Sequence, residues 1–340
     1  MTDDTGPILG VTLGDPSGIG PEISAMTLAD PPTEPPARGL AVGDARALRR
    51  AIDVCGLGVR VHPVDAVDEA RFAPGTIDIL DTGALGDDPP YGEVNEASGR
   101  AAVAAIERAT RLALDGDIAA IVTAPINKAS IWAAGSEHLG HTEMLGQLPG
   151  AARPETMFVV RGLKIFFTTR HMSLRDAIDQ LSQQTVREAI DHAWTALGVL
   201  GLDAPTLAVA ALNPHGGEGG RFGREELDAI GPACDAARDD GLDVVGPVPG
   251  DAVFHQGVQG RFDAVLCHFH DQGHIAAKTL DFDGAVSVTM GLPIIRSSVD
   301  HGTAFDIAGT GQASPETMKA AFAAGATFAP YAERARATYG

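Results

Sequence analysis

The stretch Ile8-Leu9-Gly10-Val11-Thr12-Leu13-Gly14-Asp15-Pro16-Ser17-Gly18-Ile19-Gly20-Pro21-Glu22 sets the expectation for the fold. Ile8–Leu13 reads as an apolar strand. Gly14, Gly18 and Gly20 permit a sharp turn out of it, and Pro21 suits the first turn of a helix. The turn lacks the Gly-x-Gly-x-x-Gly spacing of a dinucleotide fingerprint and the terminal Lys of a P-loop. By itself it reads equally well as structural.

The same strand-to-helix rhythm recurs along the chain. Strands are expected at Leu40–Val42, Ile77–Leu80, Ala119–Val122, Met157–Val160, Lys164–Thr168, Thr206–Leu212 and Asp263–Cys267. Helices are expected at Ser98–Leu114, Gln184–Leu200 and Glu225–Arg238. In the second of these, Val186, Ala189, Ile190, Ala193 and Leu197 fall on one face. Strands alternating with helices predict an α/β protein with a mostly parallel sheet. The Pro-rich stretch Asp30–Pro36 and the stretch Gly83–Gly92 read as exposed loops, too short to be domain linkers. Boundaries are therefore poorly marked, as in a chain that weaves between two domains.

Bulk properties exclude whole classes. The 340 residues allow two domains and a large core. A formal charge of −20 disfavours nucleic acid and anionic membranes as partners. No apolar run approaches the roughly 18 residues of a membrane span, and the acidic start MTDDT is unlike a secretory signal. Cys55, Cys234 and Cys267 form no C-x-x-C pair, which fits a reducing, cytoplasmic setting.

Four constellations carry chemistry. Thr123-Ala124-Pro125-Ile126-Asn127-Lys128 follows a strand, where α/β sheets bind ligands, and Lys128 there is suited to an anion or a carboxylate. Nearby, Gly140-His141-Thr142-Glu143 offers His141 to a ligand while Thr142 caps a helix. His171, His215 and His270 each follow a different strand. In a parallel sheet those ends share one edge, so the three can gather around one divalent ion and leave positions open for substrate. Each histidine alone would read as structural. Three imidazoles suit zinc, cobalt or manganese, whereas magnesium prefers oxygen ligands. The local group His268, His270, Asp271 and His274 raises the rival of a metal-dependent hydrolase, but its spacing departs from the binuclear motif. Last, Arg296 suits bidentate recognition of phosphate or carboxylate. It opens a run in which Gly302 and Ala304 would let a flat ligand approach the backbone.

These motifs, in this order over nearly the whole length, resemble the 4-hydroxythreonine-4-phosphate dehydrogenase (PdxA) family of pyridoxine biosynthesis. The matching strings are GDPSGIGPE, TAPINK, GHTE, LNPHGGEGG, HDQG and GLPIIRSSVDHGT. The segment DHGTAFDIAG is similar, more distantly, to the adenine-side loop of isocitrate and isopropylmalate dehydrogenases. The resemblance implies two α/β/α domains with a cleft between them, expected at 1–122 plus 275–340 (NAD side) and 123–274 (metal and dimer side). It also implies a homodimer with shared active sites, NAD or NADP, and one divalent metal (Zn, Co, Mn or Mg). The implied metal ligands are His171, His215 and His270, with His270 from the partner subunit. Substrate contacts fall on His141, Thr142, Lys278, Arg296 and Ser287, the last standing where the family has Asn. Asp300, His301, Gly302, Ala304 and Asp306 fall on the cofactor loop. Asp251 and Lys128 fall on catalytic positions, Asp251 as support for the metal or general base.

The activity implied is oxidation and decarboxylation of a phosphorylated hydroxy acid. That acid is 4-hydroxy-L-threonine 4-phosphate or, in a second branch, 4-phospho-D-threonate or 4-phospho-D-erythronate. His274 and Ser287 favour the second branch. A third branch, acting on cis-dihydrodiol carboxylates, lacks counterparts of Lys128 and of the His141-Thr142 pair.

Overall fold

Short apolar runs between glycines become strands here because they can be buried on both faces. Leu9, Val11, Leu207, Ala208, Val209 and Ala210 have no solvent exposure. A computed structural model describes residues 6–138, 140–147 and 154–340; the acidic residues 1–5 lie outside them. The strands, in chain order, are β1 (Ile8–Thr12), β2 (Arg38–Gly43), β3 (Arg60–Val64), β4 (Thr76–Asp81), β5 (Ala120–Thr123), β6 (Glu155–Val160), β7 (Leu163–Phe167), β8 (Leu207–Ala210), β9 (Val244–Val248), β10 (Ala264–Cys267), β11 (Val286–Met290) and β12 (Arg296–Ser298).

The chain forms two units, Met1–Pro154 with Val286–Gly340, and Glu155–Ala285. In the first, strand order is β3-β4-β2-β1-β5-β12-β11, parallel as far as β12, with β11 antiparallel to it. Helix Glu96–Asp115 covers one face. Asn95 caps its start by accepting from the Ala97 and Ser98 amides, and Gly116 ends it in the left-handed region (φ 85°). Its Ile106, Ala109 and Leu112 pack with Leu40, Val42 and Ile121. On the other face Ala25 and Leu48, from helices Gly20–Ala29 and Ala45–Val54, pack with Leu13, Ala41 and Ile79.

The second unit has strand order β6-β7-β10-β8-β9, with only β6 antiparallel to its neighbour. Val253 and Ala277, from helices Gly250–Val258 and His270–Leu280, join Phe158, Ile165, Val265 and Cys267 in its core. Helix Gln183–Val199 starts at a Ser182–Thr185 capping box and buries the face read from the sequence, Val186, Ala189, Ile190, Ala193 and Leu197. An Ile190→Ala change there would cost about 2–5 kcal/mol.

The crossings between units fall later in the chain than the motifs implied. β5 continues into Pro125, whose carbonyl accepts the Asp15 amide. Helix Lys128–Ala133 then lies against Gly99, which has no room for a Cβ beside the Ser130 carbonyl. These contacts keep Lys128 and His141 in the first unit. Ala277, in the core of the second, keeps helix His270–Leu280 there. No helix among the described residues is long and apolar enough to cross a membrane.

Candidate active site

Arg296 is the most constrained cation in the first unit. It is 5% exposed, at the start of β12. Its Nη1 donates to Thr289 Oγ1 at 2.8 Å, and its Nε and Nη2 donate to Thr123 Oγ1 at 3.2 and 2.9 Å. These partners are neutral hydroxyls, and among the described residues no carboxylate pairs with the guanidinium. Burial pushes its pKa down to about 10. The β11–β12 register sets Thr289 opposite Arg296, and Ser287, two residues earlier, shares the face of Thr289. The Ser287 hydroxyl donates to the Ser298 carbonyl at 3.5 Å, a weak contact.

His141 begins helix His141–Gly146. Burial first, and the Arg296 charge second, hold its pKa well below 6.5, so the ring is neutral. Its Nε2 is covered and has no hydrogen-bond partner among the described residues. The cap of this helix is Gly140 (φ 150°), not Thr142, which lies inside the first turn. Lys128 is exposed, and its Cε reaches to 4.0 Å from the place a Gly140 Cβ would occupy. The first unit therefore carries Lys128, His141, Thr142, Ser287 and Arg296; Lys128 approaches Gly140, the Arg296 charge acts on His141, and Ser287 shares the face of Thr289.

The opening motif proves to be a mooring. Asp15 is buried, with Oδ1 accepting from the Ser17 amide; desolvation raises its pKa. Glu22 accepts the amides of Gly309 and Gly311 at 2.7 and 3.0 Å. The Ile19 amide donates to the Thr303 carbonyl, and Gly18 has no room for a Cβ against Thr303. The loop carrying Asp300, His301, Gly302, Ala304 and Asp306 is thus pinned onto GDPSGIGPE. Its moored residue, Thr303, is buried, while His301, Gly302 and Asp306 are exposed. Space around Gly302 is open, and Ala304 sits at φ 41°.

In the second unit the histidines leave three neighbouring strand ends. His171 and His270 have ring centroids 5.9 Å apart and line a cavity of about 560 Å³ with Arg170, Met172, Phe269 and Asp271. His270 Nδ1 lies 2.7 Å from Asp271 Oδ1. A ligating imidazole is usually oriented through its other nitrogen by such a carboxylate, so this ring fits a metal presented to Nε2. His274 stacks on His270 (3.7 Å, 6°) and is flanked by Phe158 and Phe167.

His215 stands apart from this pair. It lies exposed in Pro214–Gly220, where His215, Gly216, Gly217, Glu218 and Gly219 are all left-handed (φ 54°, 65°, 75°, 42° and 65°). Glu226 clamps the loop, accepting the Leu212 and Asn213 amides at 2.8 and 2.7 Å and the Asn213 side chain at 2.9 Å. Burial works to raise the Glu226 pKa, but these hydrogen bonds outweigh it and hold the carboxyl below its ordinary value. Among the described residues, no three His, Cys, Asp or Glu side chains are placed to hold a metal ion. One chain thus supplies a pair of imidazoles and a third elsewhere.

Lys278 follows His270 and His274 on one helix face and lies 5.5 Å from the Phe282 ring. Asp251 is in the first turn of its helix, lining a separate cavity of about 470 Å³ with Phe254, His255 and Leu280. The group that raised a hydrolase does not assemble: His268 is buried, with Nε2 2.6 Å from the Ala210 carbonyl. Burial pushes its pKa to about 4. Thr123 and Thr289, which hold Arg296, and Glu226, which holds the His215 loop, were not singled out in the sequence. Only Thr123 had a signal, its place in TAPINK at the strand end.

The fold is α/β in both units, and the relatives show the class, a dehydrogenase. The family profile described as "Pyridoxal phosphate biosynthetic protein PdxA" matches residues 36–325, and the chain belongs to that family. Over 335 residues, 98% of this chain and 97% of the relative, it is 51% identical to a Cutibacterium acnes protein described as "Putative D-threonate 4-phosphate dehydrogenase". A Symbiobacterium thermophilum protein of the same description is 48% identical, over 98% of this chain and all of that one. The crystal structure of 4-hydroxythreonine-4-phosphate dehydrogenase from Klebsiella pneumoniae matches with a TM-score of 0.87 at 41% identity, covering 96% of this chain and 99% of that one.

Proposed function

We propose that this chain oxidises and then decarboxylates a 4-phosphorylated 3-hydroxy acid, with D-threonate 4-phosphate as its preferred substrate. 4-Phospho-D-erythronate and 4-hydroxy-L-threonine 4-phosphate are the next candidates. The observation that carries this reading is Arg296, a buried guanidinium held by hydroxyls and beside a neutral His141. A buried charge without a counter-charge costs several kcal/mol, and an anionic substrate supplies the missing partner. The names of the relatives favour the acid-sugar phosphate.

In D-threonate 4-phosphate, C3 loses a hydride to NAD or NADP and its hydroxyl loses a proton, leaving a 3-keto acid. The bond from C2 to the carboxylate then breaks and carbon dioxide leaves. Protonation of the enolate at C2 gives a three-carbon keto phosphate. A divalent metal on His171, His215 and His270 would supply the Lewis acidity that lowers the alcohol pKa and stabilises the enolate.

The chain's own residues hold the rest. Arg296, Thr142 and Lys278 bind phosphate and carboxylate, with Ser287 beside Arg296's partner Thr289, and Lys128 takes the catalytic position, orienting the carboxylate. His141 offers Nε2 as a hydrogen-bonding group. Asp251, on the wall of a separate cavity, is the proposed support for the metal or general base, and Asp300, His301, Gly302, Ala304 and Asp306 form the nicotinamide-cofactor loop. The active species is a homodimer in which a second copy completes the metal centre.

The test is NADH formation with a panel of phosphorylated four-carbon acids, with and without a chelator. D-threonate 4-phosphate is expected to give a kcat/KM at least comparable to that of 4-hydroxy-L-threonine 4-phosphate, and chelation to abolish turnover while the circular dichroism spectrum stays native. Turnover without a nicotinamide cofactor would favour a hydrolase. Unfolding on chelation would make the metal structural. Faster turnover of an unphosphorylated cis-dihydrodiol carboxylate would overturn the substrate class.

A further inference from the structure

Strands β7, β8 and β10 lie side by side in the order β7-β10-β8. His171 and His215 lie in the connections that follow β7 and β8, and His270 opens the helix that follows β10. Past the last ladder pairs, Val209 with Leu266 and Phe167 with Cys267, two further backbone bonds still tie β7 to β10, the Thr168 amide to the Cys267 carbonyl at 2.8 Å and the Thr169 amide to the His268 carbonyl at 3.2 Å.

A set of side-chain bonds joins them at that level and reaches β8 as well. His268, 1% exposed, has Nε2 2.6 Å from the Ala210 carbonyl at the end of β8. Nε2 must donate there, so Nδ1 accepts, and the Thr168 hydroxyl stands 3.2 Å from it at the end of β7. The backbone of His268 is held as well. Its carbonyl accepts the Thr169 hydroxyl at 2.7 Å, and its amide donates to Gln272 Oε1 at 2.7 Å. The other end of that amide side chain, Gln272 Nε2, donates to the Ala211 carbonyl at 2.8 Å.

We propose that His268 and Gln272 are positioning residues: they clasp the ends of β7, β8 and β10 and so fix where His171, His215 and His270 depart. The proposal rests on the reading of those three histidines as metal ligands. Every bond in the clasp lies within five residues of one of them in sequence or on the helix His270–Leu280 itself. The ring is buried and both its nitrogens are engaged, so it serves as a cross-brace and not as a ligand. A hydrophobic residue of similar size would fill the same volume yet leave the Ala210 carbonyl and the Thr168 hydroxyl unpaired.

The experiment uses full-length His268→Leu, His268→Gln and Gln272→Met proteins stripped of metal. Cobalt(II) is titrated in and followed by its visible absorbance, and amide hydrogen exchange is measured over residues 168–172 and 211–217 in the metal-free state. Gln can still donate to the Ala210 carbonyl. His268→Leu is therefore expected to weaken cobalt binding about tenfold to a hundredfold, the range for groups that orient ligands, and to speed exchange in both segments. His268→Gln should recover most of both.

Wild-type cobalt affinity and wild-type exchange in His268→Leu would overturn the clasp. So would equal losses in the Leu and Gln variants, which would point to packing alone. A wild-type protein that binds no cobalt would overturn the ligand assignment. The exchange pattern, which needs no metal, would then decide the clasp alone. If His268→Leu fails to fold, Gln272→Met decides the matter: it removes only the ties to Ala211 and the His268 amide, and faster exchange at 211–217 is expected.

Discussion

The two units prepare for charge in opposite ways. Around Arg296 the arrangement is complete in one chain: a buried cation, two threonine hydroxyls and a neutral imidazole. Around the histidines it is open. His171 and His215 are exposed, His215 sits in a left-handed turn, and among the described residues no third His, Cys, Asp or Glu stands with His171 and His270 to hold a metal ion. The first region stores its cost as desolvation, the second as backbone strain of about 1–2 kcal/mol at a non-glycine residue such as His215. A dry site for a fixed anion can be built in advance. On the proposed reading, a metal centre that must also admit substrate is left unfinished until a second copy arrives.

The largest effects should come from the unfinished side. His171→Ala and His270→Ala should each lose activity on the order of 10³-fold or more, since a catalytic metal supplies several kcal/mol. Mixing the two inactive proteins then separates the alternatives. If each centre takes His270 from the partner, hybrid dimers contain one intact site. Activity should return to roughly a quarter of wild type, because half the dimers are hybrids. If His171 and His270 of one chain serve the same ion, as their 5.9 Å separation would allow, no hybrid has an intact site. No recovery after confirmed subunit exchange would overturn the shared centre.

The finished side should respond with activity and not with stability. Arg296→Met removes a buried charge and leaves two hydroxyls to find new partners, about 1–3 kcal/mol each at most, against relief of the desolvation cost. The melting temperature should stay within a few degrees of wild type, while kcat/KM for a phosphorylated acid falls about a hundredfold to a thousandfold. A collapse in both would make Arg296 a structural brace and erase the contrast between the two regions.

What could be read in the sequence followed physical periodicity. The strands show as short continuous apolar runs, and the buried face of Gln183–Val199 shows in residues that repeat every three to four positions. β3 and β9 did not show, because they are sheet edges that carry Pro63 and Pro247, where a missing amide does no harm. β12 did not show because Arg-Ser-Ser is polar, although all three residues are buried. For the site, residue types at strand ends pointed to His171, His215, His270 and Arg296. Some of the groups that hold the site are distant in sequence. Thr123 lies 173 residues from Arg296, and Glu22 lies 287 from Gly309. Such pairings arise from tertiary contact, and no local pattern announces them.

The smallest effect, and the most informative about substrate, concerns Ser287. It shares a face with Thr289, one of the two side chains holding Arg296, and its hydroxyl makes only a 3.5 Å contact with the Ser298 carbonyl. An Asn here, as the family resemblance implies for 4-hydroxythreonine-4-phosphate dehydrogenase, would reach farther and add an amide donor. Serine forgoes that contact. One hydrogen bond to a charged group is worth about 1.5–3 kcal/mol, or roughly tenfold to a hundredfold in rate. Wild-type protein should therefore use D-threonate 4-phosphate with a kcat/KM at least comparable to that for 4-hydroxy-L-threonine 4-phosphate. Ser287→Asn should move the ratio of the two toward the amino acid by up to that factor. Its β-strand cost stays under about 1 kcal/mol, so the change should appear in the ratio and not in the melting temperature. A wild-type preference for the amino acid above about a hundredfold would remove the acid-sugar assignment, and with it the idea that the Arg296 side of the molecule is tuned to a substrate without an amine.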